Sequence, residues 1–64
     1  MSRRGATTAL VLAYLQHERQ IGAMVRELKQ RHGLSASAVR EQVRRLLVAG
    51  RIERVSRGRY RRRM

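Results

Sequence analysis

Side chains able to do covalent or metal chemistry are few in this chain, and arginine is in large excess. Its 64 residues include no Cys and no Asp, only two His (His17 and His32) and four Glu (Glu18, Glu27, Glu41 and Glu53). A metal site would need both imidazoles plus a glutamate from separate helix ends, and no nucleophile–base pair or glycine-rich phosphate loop can be assembled. The residues therefore argue against an enzyme, a bound metal or a cofactor, and no small-molecule ligand is evident. His32, near the end of a helical pattern, suits a helix-dipole partner. What the chain does offer is guanidinium chemistry, in which a planar donor fork makes charge-assisted hydrogen bonds to phosphate oxygens and base edges.

Sixteen Lys plus Arg against four Glu give a formal net charge of +12, and 15 of the 16 cations are Arg. GC-rich coding explains Arg in place of Lys, but it does not explain the missing acids. Such a field opposes folding through self-repulsion and attracts polyanions. Nucleic acid is favoured over a membrane surface because the basic residues do not lie opposite a wide apolar face. The run from Ala9 to Leu15 is far short of the roughly 20 residues that cross a bilayer, and the basic start, Met1 to Gly5, lacks a signal-peptide cleavage site. The expectation is a cytoplasmic, nucleoid-associated protein with no membrane partner. A chain this short allows one domain with one modest core, so a partner chain or ligand is expected to add stability.

Periodicity places the arginines on elements. Residues 1–6 read as a flexible basic arm. Thr7 or Thr8 can cap a first helix over about 8–17, whose apolar residues, Val11, Leu12 and Leu15 with Leu10 and Tyr14, spread round it and mark it as the central, most buried helix. Ile21, Met24, Val25 and Leu28 share one face of a second helix, about 22–32, which Gly33 stops. Ser35 can cap a third, about 36–49, with Val39, Val43, Leu46 and Leu47 on one face and Gly50 as its stop. The remainder, about 51–63, reads as a hairpin turning at Arg57-Gly58, with Val55 facing Tyr60 and Glu53 facing Arg62. Ile52 and Val55 cannot both point inward from a regular strand, so Ile52 is expected to enter the core from the strand's first residue or a bulge.

The words at these positions carry a resemblance. Gly33-Leu34-Ser35, then Ser37, Val39, Val43, Leu46, Ala49-Gly50 and Ile52, and finally Gly58-Arg59-Tyr60, resemble the run shared by winged helix-turn-helix transcription regulators of the MarR, ArsR, GntR and Lrp kinds. The likeness covers about residues 9–63. It implies a mainly α fold with a small β-hairpin, a three-helix winged helix-turn-helix over 7–63. It further implies a third helix in the DNA major groove and a wing on adjacent phosphates or the minor groove. Regulators of those families usually add helices or a second domain, so inducer binding is not carried over.

At 100° per residue, Ser37, Glu41, Arg44, Arg45 and Val48 lie opposite the apolar face of the third helix, with Ala38 and Arg40 flanking them. Small residues such as Ser37 and Ala38 let a backbone approach closely and leave N–H groups for a phosphate. Arg40 and Arg44 suit bidentate contact with guanine edges, each such pair worth about 1–3 kcal/mol of discrimination. Glu41 would be repelled by phosphates, so it either accepts from a cytosine amino group or orients Arg44 or Arg45 by i,i+3 or i,i+4 pairing. Gln42 can reach adenine. Ser35 caps the helix and also suits a phosphate contact.

In the wing, Arg54, Arg57, Arg59, Arg61, Arg62 and Arg63 place six cations in ten residues, too many for Glu53 to pair across the strands, so phosphates or the minor groove are their expected partners. Arg61 is expected to strengthen binding to all DNA alike. Arg3 and Arg4 suit either a minor-groove arm or a solvated terminus. The expected function is double-stranded DNA binding by a small, repressor-like transcription regulator. The alternatives are a sequence-tolerant architectural binder or a winged-helix module on RNA or a protein partner. With two Tyr and no Phe or Trp, stacking platforms for single strands are scarce. Val48 and the apolar first helix allow a homodimer, and a monomer fits equally.

Overall fold

Two glycines set the limits of the second and third helices. Gly33 takes φ 67° and its N–H donates to the Lys29 carbonyl at 3.0 Å. Gly50 takes φ 73°, its N–H donating to the Leu47 carbonyl at 3.1 Å while Arg51 N–H reaches back to Leu46 at 2.9 Å. That pair of bonds is a Schellman closure, which satisfies carbonyls that the helix end leaves open. The computed structural model describes residues 3–63, with side chains from residue 6 onward. Its elements run α1 (Arg3–Tyr14), β1 (Arg19–Gln20), α2 (Ile21–His32), α3 (Ala36–Val48), β2 (Ile52–Ser56) and β3 (Arg59–Arg62). The sheet is antiparallel in the order β1-β3-β2. Three helices with a small hairpin sheet make a mainly α winged-helix layout.

The first helix differs most from its sequence pattern. It starts at Arg3, so Thr7 and Thr8 lie inside it and do not cap it, and residues 3–6 of the expected arm are helical. Tertiary contact carries the helix back: Thr7 is buried, and the Thr8 hydroxyl donates to Gln42 Oε1 at 2.8 Å. At the other end the helix stops at Tyr14, three residues early. The Leu15 carbonyl accepts from Arg62 N–H at 2.8 Å, so β3 takes the acceptor that another helical turn would use.

The core comprises Val11, Leu15, Met24, Val25, Leu28, Val39, Val43, Leu46 and Ile52. Helix α3 packs against α1, α2 and β2 and is the central helix, in place of α1. Leu10, Leu12 and Tyr14 are only partly buried, because an apolar run all round a helix exceeds what so small a core can cover.

In the hairpin, Ser56 pairs with Arg59 beside the turn, but Arg54 pairs with Tyr60, Glu53 with Arg61 and Ile52 with Arg62. The one-residue shift is absorbed by a bulge at Val55, so the expected Val55–Tyr60 and Glu53–Arg62 pairs do not form. The bulge resolves the parity conflict, since Val55 turns out to solvent and Ile52, the first residue of β2, is 2% exposed. Strand β1 has no apolar signal in the sequence; it is held by Arg19 and Gln20 pairing with Tyr60 and Arg59, and by Ile21 N–H donating to the Gly58 carbonyl at 2.8 Å.

Candidate nucleic-acid interface

The outward side of α3 is set by what its inward side must bury. Val39, Gln42, Val43 and Leu46 face the core, leaving Ser37, Arg40, Arg44 and Val48 exposed. Arg40 and Arg44 lie one turn apart, and neither forms an ion pair among the described residues. An unpaired guanidinium on a rigid helix keeps all five N–H donors for an incoming acceptor. Arg45 behaves differently. Its Nε donates to Glu41 at 3.3 Å in the i,i+4 pairing expected for that carboxylate, and both residues flank the groove between α1 and the α2–α3 turn.

At the start of α3, Ser35 Oγ accepts from Ala38 N–H at 3.1 Å, and the Ser35 carbonyl accepts from Val39 N–H at 3.1 Å. The cap therefore occupies one of the N–H groups expected to remain for a phosphate. Ser37 is exposed and Ala38 half-buried, so the helix approaches a ligand with little side-chain bulk. Gln42 is not on the outward face. It is 9% exposed, tied to Thr8 of α1, and too deep to reach a base edge.

The wing is less cationic than its sequence suggests. Arg59 pairs with Glu18, which precedes β1, and Arg61 pairs with Glu53, which also lies 3.9 Å from Arg63. Arg54, Arg57 and Arg62 form no ion pair among the described residues. Sequence reasoning missed Glu18 as a wing partner because it stands 41 residues from Arg59. It also missed Arg19, whose guanidinium stacks over the Tyr14 ring at 5.3 Å, and Arg51, which joins Arg62 and Arg63 at the hairpin's base. The sequence reading set Glu53 opposite Arg62, and the bulge at Val55 sets it opposite Arg61 instead.

Arg3 and Arg4 contribute backbone to α1, and their side chains lie outside the described residues. Val48, at 86% exposure, is the outstanding apolar residue on the outward side of α3. Among the described residues no His and Glu gather as a metal site requires, and no helix is long and apolar enough to cross a membrane.

What α3 and the hairpin can do together is chemical and geometric: a helix about 20 Å long bears two free arginines, and beside it a two-stranded projection bears Arg54 and Arg57 at and near its tip. Comparison with family models, curated proteins and solved structures finds no match to this chain.

Proposed function

We propose that this chain binds double-stranded DNA as a small transcription regulator of the repressor kind, with α3 in the major groove and the wing on phosphates or the minor groove. The supporting observation is the pair Arg40 and Arg44, exposed, free of ion pairs among the described residues, and mounted on the helix that the core holds most firmly. A helix is the element a major groove admits, and Arg is its most frequent base-reading side chain, through guanine O6 and N7. The net charge of +12 supplies the sequence-independent attraction that brings such a helix to a duplex.

Selection of binding sites from random duplex DNA, followed by salt titration of the winning site, tests this reading. The expected result is a defined motif preferred over random duplex by roughly 10³ or more, with affinity falling at a log–log slope of about −0.9 per neutralised phosphate. A preference ratio near unity would move the protein to the sequence-tolerant architectural class. Failure to bind any duplex at low salt would overturn DNA binding itself.

A further inference from the structure

Among the exposed side chains of α3, Val48 is the odd one in chemistry. Apart from Ala36, the exposed residues of the helix are Ser37, Arg40, Glu41, Arg44 and Arg45, all polar, and then Val48. At 86% exposure it is far more open to solvent than Val55, at 40%. Neither helix stability nor packing accounts for it. Valine loses rotamer freedom in a helix and is a poorer helix former than Ala, Arg or Leu, and at this exposure it adds little to the core.

Its place on the helix is with the two free arginines. Arg40, Arg44 and Val48 follow one another at intervals of four, each step about 6 Å along the axis and about 40° round it. Arg44 precedes Val48 by one turn and Arg51 follows it by three residues, and neither arginine forms an ion pair among the described residues. Val48 therefore lies on a surface that draws phosphates. Ala49 and Gly50, both exposed, come next and have too little bulk to hold this end of the helix away from a groove. A second copy of this chain is a poor partner for such a spot, because two bodies of charge +12 would have to meet with arginines on both sides of one valine. The major groove presents oxygens, nitrogens and amino groups, and a single apolar group: the methyl on C5 of thymine, which 5-methylcytosine also carries.

We propose that Val48 contacts the C5 methyl of a pyrimidine and so adds a methyl-reading position beside the guanines read by Arg40 and Arg44. This inference rests on the proposed seating of α3 in the major groove, and it deepens that reading by naming a base the site must contain. The 5-methylpyrimidine lies close to the guanine that Arg44 reads, because about 6 Å of helix is less than two base-pair steps of about 3.4 Å.

The test uses the duplex that selection from random DNA yields. Each thymine of that site is replaced in turn by deoxyuridine, which removes the C5 methyl and keeps the base pair, and each cytosine in turn by 5-methylcytosine, which adds one. Anisotropy measures the affinity of wild type and V48A for every duplex; Val48 is exposed, so V48A leaves the core intact. With wild type, the methyl group at one position should be worth about fourfold in affinity, the transfer value of one buried methyl group. With V48A that factor should fall below about 1.5, the coupling of a direct contact, while affinity for random duplex stays within about twofold. A loss in the uridine arm identifies thymine as the source of the methyl group, and a gain in the cytosine arm alone identifies methylated DNA. No methyl effect at any position in wild type would overturn the proposal, and so would an equal effect in V48A. A dimer of the free wild type, seen by sedimentation and dissociated by V48A, would also overturn it by giving Val48 a protein partner. A wild type that selects a site and ignores methyl groups removes this inference alone; one that selects no site removes base reading by α3 as well.

Discussion

The outward face of α3 and the hairpin beside it are both rich in arginine, but they hold it in different ways. On α3, one carboxylate, Glu41, engages Arg45 and leaves Arg40 and Arg44 free on a scaffold fixed by four buried residues. In the hairpin, Glu18 and Glu53 engage Arg59 and Arg61, and Glu53 also approaches Arg63, so half of the wing's six arginines are spent within the hairpin or on the residue that precedes β1. Counting residues makes the wing the main source of positive charge; counting free guanidiniums brings the two regions close to parity. Position therefore matters more than number. The helix offers aimed donors suited to base edges, whereas the wing offers charge, part of it already used to hold the sheet together.

The sharpest way to break this contrast is R40A/R44A. If both arginines read guanine, the double variant should lose about 2–6 kcal/mol on the selected site, from about 1–3 kcal/mol for each bidentate pair, and much less on random duplex. Anisotropy on both DNAs measures it. Equal losses on the two would make α3 a charged surface like the wing, with no base-reading role. Close behind in size is Leu46→Ala, which removes a side chain only 4% exposed from the platform beneath those arginines. Truncating a buried Leu costs about 2–5 kcal/mol, comparable with everything a core of this size supplies. Urea denaturation followed by circular dichroism should find much of the chain unfolded without denaturant, and a shift below about 1 kcal/mol would contradict the central placement of α3.

R54A/R57A tests the wing's side of the comparison. Both arginines are free of ion pairs among the described residues, so they take the general, sequence-tolerant role that the sequence suggested for Arg61. The double variant should weaken selected and random duplex alike, and the magnitude of its salt slope should fall by up to about 1.8, near 0.9 for each phosphate that is no longer neutralised. A loss confined to the selected site would mean that the wing reads sequence and would reverse the assignment of the two regions.

How much of this was legible beforehand depends on the range of each interaction. Helices α2 and α3 announce themselves through apolar residues at helical spacing and through Gly33 and Gly50, which act within a few residues. The Glu41–Arg45 pair and the Ser35 cap are equally local, and both appear as the spacing suggests. The bulge at Val55 was foreshadowed by the conflict of parity between Ile52 and Val55, although its exact place was not. What could not be read depends on distant partners. Strand β1 is two polar residues whose only reason to be a strand is β3, some 40 positions on. Gln42 sits on a flank of α3 that solvent or another helix could cover, and the arrival of Thr8 decides which. The paired state of Arg59 likewise depends on where Glu18 comes to rest, and that of Arg61 and Arg63 on the strand register that sets Glu53 beside them.

The smallest effect isolates that last point. Glu53 is partly exposed, at 36% for its side chain, and its pairing with Arg61 and Arg63 belongs to the class of surface ion pairs worth about 0–1 kcal/mol. Glu53→Gln keeps an oxygen able to accept from Arg61 Nε while removing the charge, so the hairpin should lose less than about 1 kcal/mol in thermal or urea unfolding. Its effect on DNA has the opposite sign. With Glu53 neutral, Arg61 and Arg63 no longer share a carboxylate with the phosphates, so affinity for any duplex should rise and the salt slope should steepen by about 0.9–1.8, for one or two further phosphates neutralised. The gain should be the same on selected and random DNA, since these residues lie on the hairpin and away from the outward face of α3. An unchanged slope would show that the paired arginines are structural in both states, and would leave Arg54, Arg57 and Arg62 as the wing's cationic contribution.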